Sequence, residues 1–330
     1  MNPVNILVAA DIGEECLRQI AAVSTGVNVQ DIFELSRLDY RGDPTARNQL
    51  DVLLAEVEVI FAFRLPGDLL ARAPNLKWIQ VTAAGVDGFI DNELRQSPVI
   101  MTNTSGIHAI PIAEFVVSFM LMFVKQAPRY FDLKQKKQWQ RPIPDILYSR
   151  TVGIVGLGRI GREVARLSKA FGMRVIATRR SARSGAHVRN VDLVLSREQL
   201  PQLLSESDFV VIALPLTPET ENLIGEAELR AMKPAAYLIN IGRGCIIDEE
   251  ALVRALSEGW IAGAGLDVFA TEPLPLESRL WELPNVILSH HVSGDMTDYN
   301  VRATGVFCEN LKRYLEGKRL LNIVGKKRGY

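Results

Sequence analysis

Three glycines spaced as GxGxxG stand where a short apolar run turns into a helical pattern. They are Gly156, Gly158 and Gly161, and the apolar run is residues 151–155. In such a turn the first glycine makes the bend, the second lets backbone N–H groups approach a phosphate, and the third lets helix and strand pack closely. Because the N-terminus of the helix then faces an anion, the spacing predicts a site for the pyrophosphate of a dinucleotide.

The residues after this turn separate a ligand site from a purely structural strand-to-helix turn. Apolar residues recur at helical spacing at Ile160, Val164, Leu167 and Phe171. A second apolar run follows at residues 174–177. Strand, helix and strand together form a βαβ unit, and this context favours dinucleotide binding.

The end of the second strand distinguishes between two cofactors. An acid usually stands there when NAD is bound, because it binds the adenosine ribose. This chain has Arg179, Arg180 and Ser181 instead, about 20 residues after Gly156 as the pattern requires. A guanidinium matches a 2′-phosphate, which a carboxylate would repel. The sequence favours NADP(H), with NAD(H) possible and a solvated basic loop as the alternative.

A second group of polar residues follows apolar runs in the C-terminal half. Arg243 stands between two glycines, Asp267 and Glu272 share one segment, and His290 and His291 end another run. A dehydrogenase needs a cation for its substrate anion, a proton donor or acceptor, and a group that tunes it. The alternative role for Arg243 is a structural salt bridge. Asp267 and Glu272 would then be ordinary exposed loop acids, and each histidine would be a packing residue.

The elements that must position these residues alternate along the chain. Short Val/Ile-rich runs alternate with helical patterns, which predicts an α/β fold with parallel sheets covered on both faces. Residues 59–80 and 210–240 each have the pattern strand, helix, proline and strand. A glycine-bearing loop follows each second strand, at residues 83–87 and 241–244. This similarity predicts two related domains facing one another across a cleft, where open α/β sheets bind ligands.

Composition limits the possible partners and locations. The chain has 330 residues, of which 48% are hydrophobic and 23% charged, and Lys+Arg and Asp+Glu are both 38. This balance argues against nucleic acid or an anionic membrane as partner. Cys16, Cys245 and Cys308 lack metal-ligand spacing, so we expect no metal. The N-terminus lacks the pattern of a signal peptide, which predicts a cytoplasmic protein.

The most apolar segment of the chain is residues 112–124, which Glu114 interrupts. It is shorter than the roughly 20 residues that a membrane-spanning helix needs. We therefore predict a buried helix beginning near Pro111.

Together these features resemble the D-isomer-specific 2-hydroxyacid dehydrogenase family over nearly the whole chain. The matching elements are residues 84–87, 106–108 with 111–114, the glycine turn, 213–218, 240–244, 266–269 with 272–273, and 284–287. The resemblance implies two Rossmann-like or flavodoxin-like parallel-sheet domains. Residues 1–103 plus 293–330 would bind substrate and residues 104–292 would bind the dinucleotide. It also favours a homodimer assembled through the dinucleotide domain.

The resemblance implies a catalytic set of Arg243, Glu272 and a histidine. The family histidine stands three residues before a glycine, and counting back from Gly294 selects His291, with His290 at a position where proline is usual. Arg243 would hold the carboxylate of a 2-oxo acid, and His291 would exchange a proton with its carbonyl oxygen. Glu272 would stabilise the charged imidazole.

Two further sets of residues are expected to bind ligands. The backbone N–H groups of Ala84, Gly85 and Val86 would bind the substrate carboxylate together with Arg243. The expected cofactor-binding residues are Gly156, Gly158, Arg159, Ile160, Gly161, Arg179, Arg180, Ser181, Leu214, Pro215, Thr217, Ile241 and Asp267. Asp267 would hold the nicotinamide carboxamide, and Thr217 would lie near the adenosine half.

These inferences predict an NADP(H)-preferring enzyme that interconverts a 2-oxo acid, such as glyoxylate or hydroxypyruvate, and a D-2-hydroxy acid. An NAD-dependent relative such as a phosphoglycerate dehydrogenase is one alternative. A dinucleotide-sensing protein similar to transcriptional corepressors is another. Turnover distinguishes the enzymes from the corepressor-like protein.

Overall fold

Two parallel β-sheets organise the part of the chain that the structure describes. The structure is a computed structural model that describes residues 3–86, 88–179 and 187–326. The chain divides into two compact units, Met1–Ile107 with Met296–Tyr330 and His108–Asp295. We call them unit 1 and unit 2. The sequence-based boundaries, 103/104 and 292/293, lie a few residues from these.

Unit 1 begins with a regular alternation of strands and helices. Its elements are β1 (Val4–Ala9), α1 (Gly13–Ala21), β2 (Val27–Asp31), α2 (Phe33–Tyr40), α3 (Pro44–Leu54), β3 (Val59–Ala62), α4 (Leu69–Arg72), β4 (Trp78–Val81), α5 (Asn92–Gln96) and β5 (Ile100–Thr102). The strands pair in parallel in the order β2-β1-β3-β4-β5. This is the flavodoxin-like strand order.

Unit 2 contains the larger sheet. Its elements are α6 (Ala109–Val124), α7 (Ala127–Gln135), β6 (Thr151–Val155), α8 (Arg159–Ala170), β7 (Arg174–Thr178), β8 (Leu193–Leu195), α9 (Leu200–Glu206), β9 (Phe209–Ile212), α10 (Glu226–Ala231), β10 (Tyr237–Asn240), α11 (Glu249–Ser257), β11 (Gly263–Leu266) and β12 (Val286–Leu288). The order β12-β11-β10-β9-β6-β7-β8 is that of a Rossmann sheet extended by one strand. The strand order reverses between β6 and β9, where open α/β sheets bind ligands.

Burial explains why the strands read as continuous apolar runs. Every residue of β3, β4 and β9 is buried, because both faces of a parallel sheet are covered. The similarity between residues 59–80 and 210–240 also has a structural counterpart. Strands β3 and β4 are parallel neighbours in one sheet, and β9 and β10 are parallel neighbours in the other. The predicted α/β class with two parallel sheets is confirmed.

The last helix, α12 (Tyr299–Leu315), completes the core of unit 1. Its Phe307 ring stacks on Phe61 of β3 and Trp78 of β4, with ring centroids 4.5 and 5.1 Å apart. All three side chains are fully buried. The first 107 residues therefore depend on a helix almost 200 residues later to cover one face of their sheet, which is why unit 1 is discontinuous.

The apolar helix predicted from Pro111 is α6, which begins at Ala109 and lies in the core of unit 2. Its side chains, including Ala113, Val116 and Met120, pack in one cluster with residues of β6. In the described residues no single helix has both the length and the apolar composition to cross a membrane. Only α6 and α7 taken together, with a bend of 62° between them, meet those two criteria.

Candidate active site

The three glycines of the turn between β6 and α8 each have a different steric surrounding. Gly156 has a φ of +107°, and a Cβ there would lie 2.6 Å from the carbonyl oxygen of Ala213. A Cβ at Gly161 would lie 2.2 Å from the carbonyl oxygen of Gly156, whereas one at Gly158 would meet nothing within 4 Å. The turn, the helix–strand contact and the open approach to the helix N-terminus therefore fall on the three glycines as the sequence predicted.

The loop after β9 lies directly beside this turn. A Cβ at Gly156 would come within 2.7 Å of Leu214 Cδ2, and a Cβ at Gly242 within 2.8 Å of the Leu214 carbonyl oxygen. Because β6, β9 and β10 are parallel neighbours, their carboxyl ends meet at one edge of the sheet. The Thr220 hydroxyl donates to the Pro215 carbonyl oxygen (2.7 Å) and fixes this loop. Of the predicted residues Leu214, Pro215 and Thr217 in this loop, Leu214 thus adjoins the glycine turn.

The remaining predicted cofactor residues differ in accessibility. Arg159 and Ile160 begin α8 beside Gly158. Arg179 follows β7, where its backbone N–H donates to the Leu195 carbonyl oxygen (3.1 Å), and no described carboxylate pairs with its guanidinium. Arg180 and Ser181 lie outside the described residues. Ile241 is buried and packs in the core of unit 2.

The chemistry of these residues fits a dinucleotide. The open N-terminus of α8 suits a pyrophosphate. No carboxylate stands at the end of β7 to repel a 2′-phosphate.

The side chains of Glu272 and His291, two of the predicted catalytic residues, are hydrogen-bonded to each other in unit 2. The distance between His291 Nδ1 and Glu272 Oε2 is 2.7 Å. The other carboxylate oxygen of Glu272 accepts from the Phe269 backbone N–H (3.0 Å), so the carboxylate is held at both ends. Since a carboxylate accepts, Nδ1 of His291 carries the proton. The His291 side chain is 49% exposed, and Nε2 is the ring nitrogen that Glu272 does not contact.

His290 points to a different neighbour. Its ring centroid lies 6.3 Å from that of Trp281 in a tilted arrangement. The structure therefore brings only His291 of the two adjacent histidines to the Glu272 carboxylate.

Asp267 is fully buried and organises the turn that carries His291. Its Oδ1 accepts from the Ser289 hydroxyl (2.7 Å) and the Val292 N–H (2.9 Å), and its Oδ2 accepts from the Ser293 N–H (3.1 Å). Its carbonyl oxygen accepts from the His291 N–H (2.8 Å). His291 has a φ of +56°, a left-handed conformation that persists only when its surroundings impose it. These contacts give Asp267 a role in positioning the His291 turn, and its contact with the cofactor stays a prediction.

Gly294, the glycine from which His291 was located in the sequence, lies where a side chain would meet a neighbouring ring. A Cβ at Gly294 would come within 2.9 Å of Cδ2 of His108. Burial lowers the pKa of His108, although the nearby Asp295 carboxylate opposes the shift. The His108 ring lies against Gly294, at the end of the His291 turn.

Arg243 stands in a loop shaped by a side chain of the preceding strand. The amide of Asn240 accepts from the Gly242 N–H (3.0 Å) and donates to the Arg243 carbonyl oxygen (3.0 Å). A Cβ at Gly244 would lie 1.8 Å from the carbonyl carbon of Phe269. The Arg243 loop therefore packs directly on the segment that leads to Glu272.

Three residues of this region were not singled out from the sequence. They are Asn240, Ser289 and Glu249, whose Oε2 accepts from the Ala270 N–H (3.1 Å). Asn240 carried a usable signal, because an asparagine at a strand end commonly bonds the backbone N–H two residues later. Glu249 carried none, since its partner is set by tertiary packing.

In unit 1, the predicted substrate loop follows β4. Ala84 and Gly85 are partly exposed and Val86 is buried. Asn103 donates from its amide to the Ala84 carbonyl oxygen (2.7 Å). Asp87 lies outside the described residues.

Comparison with known proteins identifies the family. Residues 117–293 match the family described as D-isomer specific 2-hydroxyacid dehydrogenase, NAD binding domain. A glyoxylate reductase of Thermococcus gammatolerans is 36% identical over 291 residues, which cover 84% of this chain and 86% of that protein. The chain belongs to this family. It is accordingly an NAD(P)-dependent oxidoreductase.

Solved structures of the D-isomer specific 2-hydroxyacid dehydrogenase family have the same fold. One, from Xanthobacter autotrophicus and in complex with NADPH and MES, has a TM-score of 0.84 at 29% identity, covering 100% of both chains. An NADPH-dependent glyoxylate/hydroxypyruvate reductase from Sinorhizobium meliloti, in complex with NADP and sulfate, has a TM-score of 0.83 at 28% identity. It covers 99% of this chain and 100% of its own.

The glycine turn generates a paired prediction. Gly161→Ala places a methyl group against the Gly156 carbonyl oxygen, so we expect the free energy of unfolding to fall by about 1–3 kcal/mol. Gly158 has a φ of −80° and open space around it. We therefore expect Gly158→Ala to keep the unfolding free energy but to weaken NADPH binding by about tenfold or more, roughly 1.4 kcal/mol.

Urea unfolding and fluorescence titration with NADPH measure the two effects. Wild-type NADPH affinity in the Gly158→Ala protein would contradict the assignment of this glycine to phosphate approach.

Proposed function

We propose that this protein reduces small 2-oxo acids, such as glyoxylate and hydroxypyruvate, to D-2-hydroxy acids, and that it prefers NADPH to NADH. The observation that carries the proposal is the Glu272–His291 hydrogen bond of 2.7 Å, in the same unit as the dinucleotide glycine turn. Its relatives named as glyoxylate reductases and glyoxylate/hydroxypyruvate reductases support the substrate class. The NADPH and NADP in two related structures support the cofactor.

The proposed chemistry assigns one task to each of three residues of unit 2, Arg243, His291 and Glu272. The bound nicotinamide supplies the hydride. Arg243 binds the substrate anion and polarises its carbonyl group as negative charge develops on the oxygen. His291 donates a proton from Nε2 to that oxygen, and in the reverse direction the neutral ring removes it. Glu272 stabilises the imidazolium through Nδ1 and holds the orientation of the ring.

Turnover tests the proposal directly. NADPH oxidation is followed with glyoxylate, hydroxypyruvate, pyruvate, phenylpyruvate and branched 2-oxo acids. We expect the small 2-oxo acids to have the highest kcat/KM. Slow reduction of every 2-oxo acid would contradict the proposal and favour the dinucleotide-sensing alternative.

Substitution of each of the two adjacent histidines tests which imidazole transfers the proton. We expect His291→Ala to lower kcat by about 10²–10⁴, which is the size of general acid–base assistance. We expect His290→Ala to change kcat far less, because its ring lies near Trp281 and not near Glu272. Steady-state kinetics measure both, with NADPH titration to show that the cofactor still binds. The opposite pattern would move the assignment by one residue.

Cofactor preference depends on Arg179 in this proposal. A charge-assisted contact with the 2′-phosphate contributes roughly 1.5–3 kcal/mol, or about ten- to a hundredfold in affinity. We expect Arg179→Asp to shrink or reverse the preference for NADPH, measured as the ratio of kcat/KM for NADPH and NADH. The control is Arg279→Asp, which makes the same charge change on an exposed residue next to β12, at the opposite edge of the sheet.

Equal kcat/KM values for NADPH and NADH in the unmutated protein would show that Arg179 does not select the cofactor. Loss of the preference in the Arg279→Asp protein would show instead that net charge, and not a local contact, sets it.

We also propose a homodimer that forms through unit 2, in the cytoplasm. Helix α7 and the segment after it expose large apolar side chains, among them Trp139 (94% exposed) and Ile143 (86%). Several large apolar side chains exposed on one segment favour a protein–protein contact there. The family resemblance supports a second copy of the chain as the partner.

Light scattering is expected to give twice the chain mass of 36.6 kDa. We expect Trp139→Glu to shift the mass toward the monomer, because it places a charge on the apolar contact. Leu276→Glu, at another exposed apolar residue of unit 2 (90% exposed), serves as the control and is expected to leave the mass unchanged. A monomeric mass at every concentration of the unmutated protein would rule out the dimer.

A further inference from the structure

The loop after β4 in unit 1 has its carbonyl oxygens held by side chains from distant parts of the sequence. The Thr82 carbonyl oxygen accepts from the Tyr299 hydroxyl and from the Thr104 hydroxyl (2.6 Å). The Ala84 carbonyl oxygen accepts from the Asn103 amide (2.7 Å). Tyr299 is the first residue of α12, and Asn103 follows β5. The loop is therefore fixed from two sides by groups outside β4.

Backbone contacts complete this arrangement. The Ala83 carbonyl oxygen accepts from the Thr104 N–H (3.2 Å), and the Val86 carbonyl oxygen accepts from the Phe89 N–H (3.0 Å). Thr82 and Thr104 are buried. The loop thus directs consecutive carbonyl groups into unit 1.

A planar trans peptide couples each carbonyl to the next N–H, because the two groups point in opposite directions. Fixing the carbonyls of residues 82, 83 and 84 therefore fixes the N–H groups of Ala83, Ala84 and Gly85. No described residue accepts a hydrogen bond from these three N–H groups. Successive N–H groups of a turn that are left available in this way can bind an anion.

The C-terminal segment supports Asn103 in turn. The Asn322 amide donates to the carbonyl oxygens of Asn103 (3.2 Å) and Ser105 (2.9 Å). The Ser105 N–H donates to Asn103 Oδ1 (3.0 Å), which leaves the Asn103 amide nitrogen directed to Ala84. The orientation of this amide is therefore determined by its surroundings.

We propose that Tyr299 and Asn103 are positioning residues for the substrate carboxylate. They hold the peptide groups of residues 82–85 so that the N–H groups of the loop face the anion. This inference rests on the proposed function and on the expectation, drawn from the family resemblance, that the N–H groups of this loop bind the carboxylate of the 2-oxo acid. Neither residue takes part in proton or hydride transfer.

The test replaces single hydrogen-bonding groups. Tyr299→Phe removes one hydroxyl and keeps the ring in the core of unit 1. Because one hydrogen bond to the loop is lost, we expect the KM for glyoxylate to rise about five- to tenfold. We expect kcat to change less than threefold and the Kd for NADPH to stay unchanged.

Tyr314→Phe is the matched control. Tyr314 lies on the same helix, and its hydroxyl donates to Glu58 Oε1 (2.6 Å), away from the loop. The control loses a comparable hydrogen bond, so a general loss of stability would affect both variants alike. We expect its KM for glyoxylate to equal that of the unmutated protein.

A second variant covers the case in which Tyr299→Phe does not fold. Asn103→Asp keeps the oxygen that accepts from the Ser105 N–H but removes the donor to Ala84. We expect it to raise the KM for glyoxylate at least as much as Tyr299→Phe, with NADPH binding retained.

Binding of oxalate to the NADPH-loaded protein, measured by calorimetry, separates this inference from the proposed function. We expect Tyr299→Phe and Asn103→Asp to weaken oxalate binding by the same factor as they raise KM. An unmutated protein that reduces glyoxylate, with variants of unchanged KM and oxalate affinity, would overturn the positioning role alone. Absence of turnover in the unmutated protein would overturn the proposed function, and oxalate binding would still test the loop.

Discussion

The buried carboxylate of Asp267 is the constraint on which the geometry of unit 2 depends most. A charge removed from water must be compensated by hydrogen bonds, and here the donors are Ser289 and the backbone N–H groups of Val292 and Ser293. These donors close the chain into a tight turn around the carboxylate. His291 lies inside that turn, in a left-handed conformation that its own N–H bond to Asp267 helps to maintain.

Glycines allow the neighbouring loops to approach this turn closely. Gly156 lies against the Ala213 carbonyl group, Gly242 against that of Leu214, and Gly244 against the Phe269–Ala270 peptide. Each contact joins backbone to backbone with no room for a side chain. Because adjacent parallel strands carry these loops to one edge of the sheet, their spacing follows from the strand order. Backbone groups, and not long side chains, therefore set the distances between these loops.

A loop of unit 1 is also held by hydrogen bonds, but through different backbone groups. Its loop at the end of β4 is held through carbonyl groups by Asn103, Thr104 and Tyr299. In unit 2 a buried carboxylate collects N–H groups, whereas in unit 1 side-chain donors collect carbonyl groups and leave the N–H groups available. Both arrangements satisfy the backbone groups of a loop while they orient the functional ones. In both units the loop that is held in this way follows the carboxyl end of a parallel strand.

The sequence by itself determined the α/β class, the two parallel sheets and the glycine turn, whereas Arg243, Glu272 and His291 were predicted as the catalytic set from the resemblance to the family. Periodicity, turn glycines and motif spacing are local properties, so one chain suffices to read them. Only the tertiary structure showed that Asp267 holds the histidine turn, that His290 faces Trp281, and that Phe307 of α12 stacks on Phe61 and Trp78 of the first sheet. Tyr299 and Thr82 illustrate the reason. Their hydrogen bond spans 217 residues, and nothing in either local sequence encodes a contact that exists only once strand, loop and final helix have packed together.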